Sequence, residues 1–444
     1  MSLSSHSFPR KSPTEINVLI VGAGFAGLTA AIECHRKGHS VVLLEAFRRL
    51  QPLGDIISFG PNSGRIFQRW EGVEEQLDPI CHRSEGLVLK TYTGETLFTQ
   101  TWEEEKAWGK KFNGHRGEIH EIVFRHALER GVDVRLGKRV VDYFETEEEA
   151  GVVVVDVDSD SGSGEERKGE RIVADVVLAA DGVRSTGRRI VLGHEDRPRS
   201  SGYAIYRAWF DSDELMRNPL TRHLVAHGDT HTGWIGPDVH FLAASIKGGR
   251  EFSWVCTHRD EADIQDSWST PGNVADALKI VKDWDPVVQE IVKATPPSRL
   301  VDWKLIYRDP LPTWLSPRAR IALIGDAAHP FLPTSVQGAS QAMEDGATLA
   351  VCLELAAKRK DGVQTALRAY ERIRYDRVLA AQKTGETTRD RWHKADFANI
   401  KKNPEAVKLR REKWLLDFDA ERHAYEVYEK TVREVEEEKE RARL

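Results

Sequence analysis

Three glycines and an acid carry the first chemistry in the chain. Gly22, Gly24 and Gly27 lie in the run Val18-Leu19-Ile20-Val21-Gly22-Ala23-Gly24-Phe25-Ala26-Gly27, and Glu45 closes Val41-Val42-Leu43-Leu44-Glu45. An apolar run too short for a helix, a helical run from about Ala26 to Lys37 and a second apolar run ending on an acid predict β-α-β. In that setting Gly22 permits the tight turn, Gly24 lets the backbone approach a pyrophosphate, and Gly27 lets the helix pack closely on the strand. Exposed N–H groups and the positive end of the helix dipole would hold phosphate, while Glu45 would accept hydrogen bonds from ribose hydroxyls. An acid at that point disfavours a phosphorylated ribose, so the spacing points to FAD or NAD rather than NADP. Three glycines can also mark only a turn; strand, helix and acid in register argue for the nucleotide.

Two further stretches set an acid at the end of a buried strand. Ile321 to Ile324 delivers Gly325-Asp326, followed by Gln337-Gly338-Ala339-Ser340 and a helix through Ala342, Leu349 and Leu353. Ile172 to Ala179, read as one buried strand, delivers Asp181-Gly182, a pair that on its own is a common turn. Arg116 stands at the start of a helix that places Ile119, Ile122, Val123 and Leu128 on one face and ends at Gly131. A fixed cation there could meet phosphate or a flavin edge, or simply lie on the surface. Gly54 and Asp55 fall in a loop from Leu53 to Asn62 beside the nucleotide site, a candidate cofactor contact.

The elements that must position these groups follow from pattern. Leu87 to Thr101 alternates around Gly94 as a hairpin, Val132 to Leu136, Val140 to Phe144 and Val152 to Val157 are β-rich, and Ser159 to Glu170 reads as a mobile hairpin tip. From about Pro198 to Arg299 alternating strands rich in aromatics (Tyr203, Tyr206, Trp209, Trp234, Phe241, Phe252, Trp254) predict an antiparallel sheet with one covered face, then a helix from Val274 to Trp284. Beyond Lys358 the chain is helical and charged; Ala369 to Arg377 reads as a salt-bridged helix surface, Trp414 to Phe418 as an apolar anchor, and Val432 to Arg443 as too charged to bury.

Composition bounds the function. With 444 residues, 40% hydrophobic and 30% charged, the chain has material for two or three domains. A net charge of −6 without a basic stripe gives no reason to expect nucleic acid. Cys34, Cys81, Cys256 and Cys352 are scattered, which argues against a disulfide framework and against a metal site, and a reducing compartment fits best. No apolar run reaches membrane-spanning length. The first fifteen residues are polar and read as a disordered lead-in, so the cytoplasm is expected; Ala442-Arg443-Leu444 resembles a variant of the C-terminal peroxisomal address and keeps the peroxisome as an alternative.

Together, the fingerprint with Glu45, Asp181-Gly182 and Gly325-Asp326, in that order from about Asn17 to Arg377, resemble the single-component FAD-dependent aromatic hydroxylases, including salicylate hydroxylase and fungal secondary-metabolite monooxygenases of the indole alkaloid type. The resemblance implies an α/β fold: a Rossmann-like three-layer FAD-binding domain in two parts (16–197 and 301–360), an inserted antiparallel-sheet substrate domain (198–300) and a helical C-terminal segment (361–444). It implies non-covalent FAD, with Glu45 and Asp326 on its ribose and ribityl ends, Arg116 beside the flavin, and the Gly338-Ala339 helix start facing the pyrimidine edge, where N–H groups stabilise charge near N1 of reduced flavin. No second G-x-G-x-x-G is present, so NADH or NADPH would visit transiently.

The implied reaction is hydride transfer to FAD, oxygen addition to a C4a-hydroperoxyflavin, and hydroxylation or epoxidation of an electron-rich aromatic or indolic molecule. Arg207, matching a strand arginine of the family, and Asp55, resembling fungal oxidases acting on indole alkaloids, are the candidate catalytic residues. Arg207 could equally be a cation paired with a carboxylate, and Asp55 a loop cap. Ala243-Ala244-Ser245 stands where phenol hydroxylases often carry a tyrosine, and Val336 where a small residue usually precedes Gln-Gly. A salicylate-type hydroxylase of a small aromatic acid, a flavin-dependent halogenase and a non-catalytic flavoprotein are the other readings; the halogenase's tryptophan-rich motif and tunnel lysine are not evident.

Overall fold

Val18 to Val21 and Val176 to Ala179 carry no polar side chain, so both faces of their strands must be covered. In the computed structural model they lie at the centre of a five-stranded parallel sheet in the order Ile321–Leu323, Val176–Ala179, Asn17–Val21, Ser40–Glu45, Asp133–Leu136. The structure describes residues 14–49, 54–157, 169–196, 199–260, 270–357 and 362–441. Most of the expected lead-in, Leu53, Pro198, the greater part of the hairpin tip from Ser159, and Ala442-Arg443-Leu444 lie outside the described residues.

Helix Phe25–Arg36 packs on the sheet and on helix Gly338–Ala356. The two helices approach closely because Gly346 meets the backbone of Ala30, where a Cβ would lie 2.7 Å from the Ala30 nitrogen. A three-stranded antiparallel sheet, Glu170–Ala174, Ala150–Asp156 and Lys138–Glu145, buries Tyr143, Val152 and Val154 in the same core. Fold class is α/β, as expected.

The second sheet has eight strands in the order Thr270–Pro271, Leu300–Tyr307, Arg199–Asp211, Glu251–Arg259, Val239–Ile246, His231–Gly236, Gly86–Thr91, Thr96–Thr101. It is antiparallel except where His231–Gly236 pairs parallel with Gly86–Thr91, so the hairpin around Gly94 joins this sheet. Tyr206, Phe210, Phe241, Phe252 and Trp254 pack on one face against helices Val274–Ile280 and Pro286–Lys293. By alternation, Arg207, Val255 and Leu242, in register across three strands, share the other face.

Several sequence expectations are corrected. Ile172 to Ala179 is two strands in two sheets, because Asp175 between them turns its carboxylate onto the Asn17 backbone N–H at 2.7 Å, and Val173 is exposed. The segment from Leu53 to Asn62 is not all loop: Ile56–Phe59 pairs with Phe112–His115. The helix expected through Trp284 stops at Ile280, and a second begins at Pro286, capped by Asp285. Leu128 is exposed on helix Arg116–Glu129, and His126 and Ala127 are buried instead. Ala369 to Arg377 is no exposed surface, since Ala369, Tyr370 and Arg374 of helix Gly362–His393 are all 0% exposed. Helix Ala420–Arg441 buries Val432 and Val435 despite its charge, because its apolar residues recur on one stripe. Among the described residues no helix is long and apolar enough to cross a membrane.

Candidate active site

The glycine turn is closed on two sides and open on the third. Gly22 has φ of 101°, and a Cβ there would lie 2.4 Å from the Ala180 carbonyl oxygen; one at Gly27 would lie 1.9 Å from the Gly22 oxygen. A Cβ at Gly24 would meet nothing within 4 Å among the described residues. Helix Phe25–Arg36 has no side-chain cap at its start, leaving backbone donors for a ligand. Glu45 braces the turn: one carboxylate oxygen accepts the Ala23 N–H at 2.7 Å and the other the Phe47 N–H at 2.9 Å.

Arg116 begins its helix, and its backbone N–H donates to the Asp55 carbonyl at 3.0 Å. One turn on, His120 Nε2 donates to the Ala23 carbonyl at 2.6 Å. Burial first, and the neighbouring Arg116 charge, push the pKa of this ring down despite that hydrogen bond. Sequence reading did not single out His120; its i,i+4 spacing from Arg116 was the available signal. Gly54 is required by contact, because a Cβ would fall 1.5 Å from His115 Nε2. That imidazole caps the helix at Glu118 N–H and packs edge-on against Trp209.

Asp326 sits in a turn held from below. The Gly325 N–H donates to Asp345 at 3.0 Å, and His329 Nε2 lies 2.6 Å from the same oxygen. Arg374 reaches Asp345 at 2.9 Å and Glu344 at 2.5 Å, and Asn62 donates to Glu344 at 2.6 Å, all with buried side chains. Desolvation pushes the Asp326 carboxyl above its ordinary range, opposed by the charges of His329 and Arg116. Helix Gly338–Ala356 likewise starts without a side-chain cap, and Gly338 and Ala339 at that end are half-buried. Just before it Val336 adopts φ of 54°, a left-handed conformation strained for a β-branched residue.

Asp181 builds its own turn. One carboxylate oxygen accepts from Tyr143 Oη at 3.0 Å, Thr186 N–H at 2.9 Å and Gly187 N–H at 3.3 Å. The other is buried without a hydrogen-bond partner among the described residues.

The two candidate catalytic residues meet each other. Arg207 Nη1 donates to Asp55 Oδ2 at 2.7 Å, and its guanidinium lies 5.1 Å from the Trp303 ring centroid. Arg207 is 7% exposed, so this pair is largely withdrawn from water.

Known proteins resemble this chain over most of its length. The model of the FAD binding domain family matches residues 15–384. An asperlicin C monooxygenase of Petromyces alliaceus is 36% identical over 431 residues, 94% of this chain and 89% of that protein. The FAD-dependent monooxygenase okaB of Penicillium ochrochloron is 34% identical over 445 residues, 98% of this chain and 95% of that protein. A crystal structure of CtdE in complex with FAD and a substrate superimposes with a TM-score of 0.86 at 33% identity, covering 95% of this chain and 100% of that one. With the open glycine turn and braced acid already in place, the chain belongs to the FAD binding domain family and is an FAD-dependent monooxygenase of the fungal secondary-metabolism type.

Proposed function

We propose that the enzyme uses NAD(P)H and O2 to hydroxylate or epoxidise an electron-rich, uncharged aromatic or indolic molecule. The observation that carries the choice of substrate is the Arg207 to Asp55 pair at 2.7 Å. A carboxylate substrate calls for an uncompensated cation, whereas here the guanidinium already faces a carboxylate, and breaking a buried pair costs several kcal/mol. A neutral heteroaromatic ring avoids that cost, which disfavours the small aromatic acid of a salicylate-type hydroxylase.

The chain's own groups suit non-covalent FAD. Backbone at Gly22, Gly24 and Gly27 would take the pyrophosphate, Glu45 the adenosine ribose, Asp326 the ribityl side, Arg116 and the Gly54 segment the flavin flank, and Gly338 with Ala339 the pyrimidine edge. Asp181 would serve by shaping its turn, on which approach of NAD(P)H to the site would depend. When bound, FAD supplies hydride acceptance and oxygen activation. Asp55 would hold or accept a proton from substrate, and Arg207 would fix that carboxylate and any developing anion. In this reading 16–197 and 301–360 hold FAD, 198–300 covers the substrate, and 361–444 braces both. A reducing compartment suits the buried free cysteines, the cytoplasm first and the peroxisome as the alternative.

The test is a panel of compounds offered to the FAD-loaded protein while NAD(P)H oxidation and product mass are followed. Neutral indolic and other heteroaromatic compounds should accelerate coenzyme oxidation and gain one oxygen atom. Acceleration confined to small aromatic acids would overturn the substrate assignment.

A further inference from the structure

We infer that Phe47 is the platform on which the adenine of the cofactor stacks. Phe47, at 64%, is the most exposed large hydrophobic side chain among the described residues. A solitary exposed apolar side chain needs no explanation by itself; its frame does. The Phe47 N–H donates to Glu45 at 2.9 Å, and its carbonyl accepts the Gly137 N–H at 3.2 Å, so the residue is fixed where strands Ser40–Glu45 and Asp133–Leu136 leave the parallel sheet. Ligands of such sheets occupy the crevice outside the carboxyl ends of the strands.

The order of groups in the ligand then sets the assignment. With pyrophosphate on the open backbone at Gly24 and ribose on Glu45, the base extends beyond Glu45, toward Ala46, Phe47 and Gly137. Phe47 is the aromatic side chain there, and a flat ring offers a base one face without requiring hydrogen bonds. This inference rests on the proposed placement of FAD along Gly24 and Glu45.

The test is titration of the full-length apoprotein with FAD and, separately, with FMN, which lacks the adenylate, followed by flavin fluorescence. Phe47→Ala should raise the FAD dissociation constant about tenfold while leaving FMN affinity unchanged, and Phe47→Trp should retain tight FAD binding. The thermal midpoint of the apoprotein should be unaltered, because an exposed ring packs on little. Wild-type FAD affinity in Phe47→Ala, or equal loss of FAD and FMN, would overturn the assignment. Failure of the wild-type protein to bind FAD would instead remove the cofactor placement beneath it.

Discussion

At the scale of single residues, Asp55 and Arg207 were legible as candidates only through family resemblance, and their pairing was not legible at all. They stand 152 positions apart, and no local pattern links a loop acid to a strand arginine. Of the alternatives left open by the sequence, Arg207 is a cation paired with a carboxylate, and Asp55, read as a possible loop cap, supplies that carboxylate. Asp55→Asn should keep a hydrogen bond but lose the charge and the proton acceptor. NAD(P)H oxidation should then continue, with hydrogen peroxide released in place of product. Arg207→Lys offers a point charge without the planar fork that both bonds Asp55 and faces Trp303. It should bind FAD normally and form product at least roughly tenfold more slowly, the size of one lost charged hydrogen bond. Wild-type coupling in both variants, measured as product per NAD(P)H consumed, would make the pair structural. The glycines, by contrast, were legible because each has a steric reason that spacing alone expresses: Gly22 and Gly27 lie against backbone carbonyls and Gly24 opens outward.

At the scale of elements, the sequence showed what is periodic and hid what is paired over distance. The β-α-β opening and the Gly94 hairpin came through because their patterns are local. Helix Gly362–His393 came through as a helix but its burial did not, since Arg and Glu every few residues look like a solvated face until Glu344 and Asp345 are found opposite Arg374. Burial opposes ionisation of both acids, but for Glu344 the Arg377 and Arg374 charges, and for Asp345 those of His329 and Arg374, prevail and hold them below their ordinary range. This cluster links the start of helix Pro61–Arg69, through Asn62, to the turn that carries Asp326. Removing one member leaves buried charge uncompensated, so Arg374→Met should destabilise the protein by about 3–5 kcal/mol. A lowered denaturant midpoint at unchanged slope would register that loss; an unchanged midpoint would show that the network contributes nothing net.

At the scale of the whole molecule, two sheets of different kind were expected and are present, but the strands of the larger one are gathered from distant segments that include Gly86–Thr91 and Leu300–Tyr307. Pairing of that sort depends on tertiary packing that no sequence window contains. The same burial makes the molecule acid-sensitive. Loss of water holds His39, His126 and His393 down to about 4 and His231 to about 3. Their unfolded counterparts bind a proton below about 6.5, so unfolding takes up protons between those values. Stability contributed by the neutral rings is whole above 6.5 and is lost as pH falls toward 4. Glu421, held at about 2 because Lys37 and Arg36 outweigh its burial, adds a second loss as pH falls from about 4.5 toward 2. The melting temperature should therefore drop steadily below about pH 6.5; a flat profile from pH 7 to 4.5 would contradict the histidine argument. The central claim, that this molecule places one atom of O2 on a neutral aromatic ring, is tested most directly by turnover under 18O2. Product carrying a single heavy oxygen from the gas, and none from labelled water, is the predicted result; oxygen derived from water, or coenzyme oxidation with no oxygenated product from any neutral heteroaromatic, would contradict it.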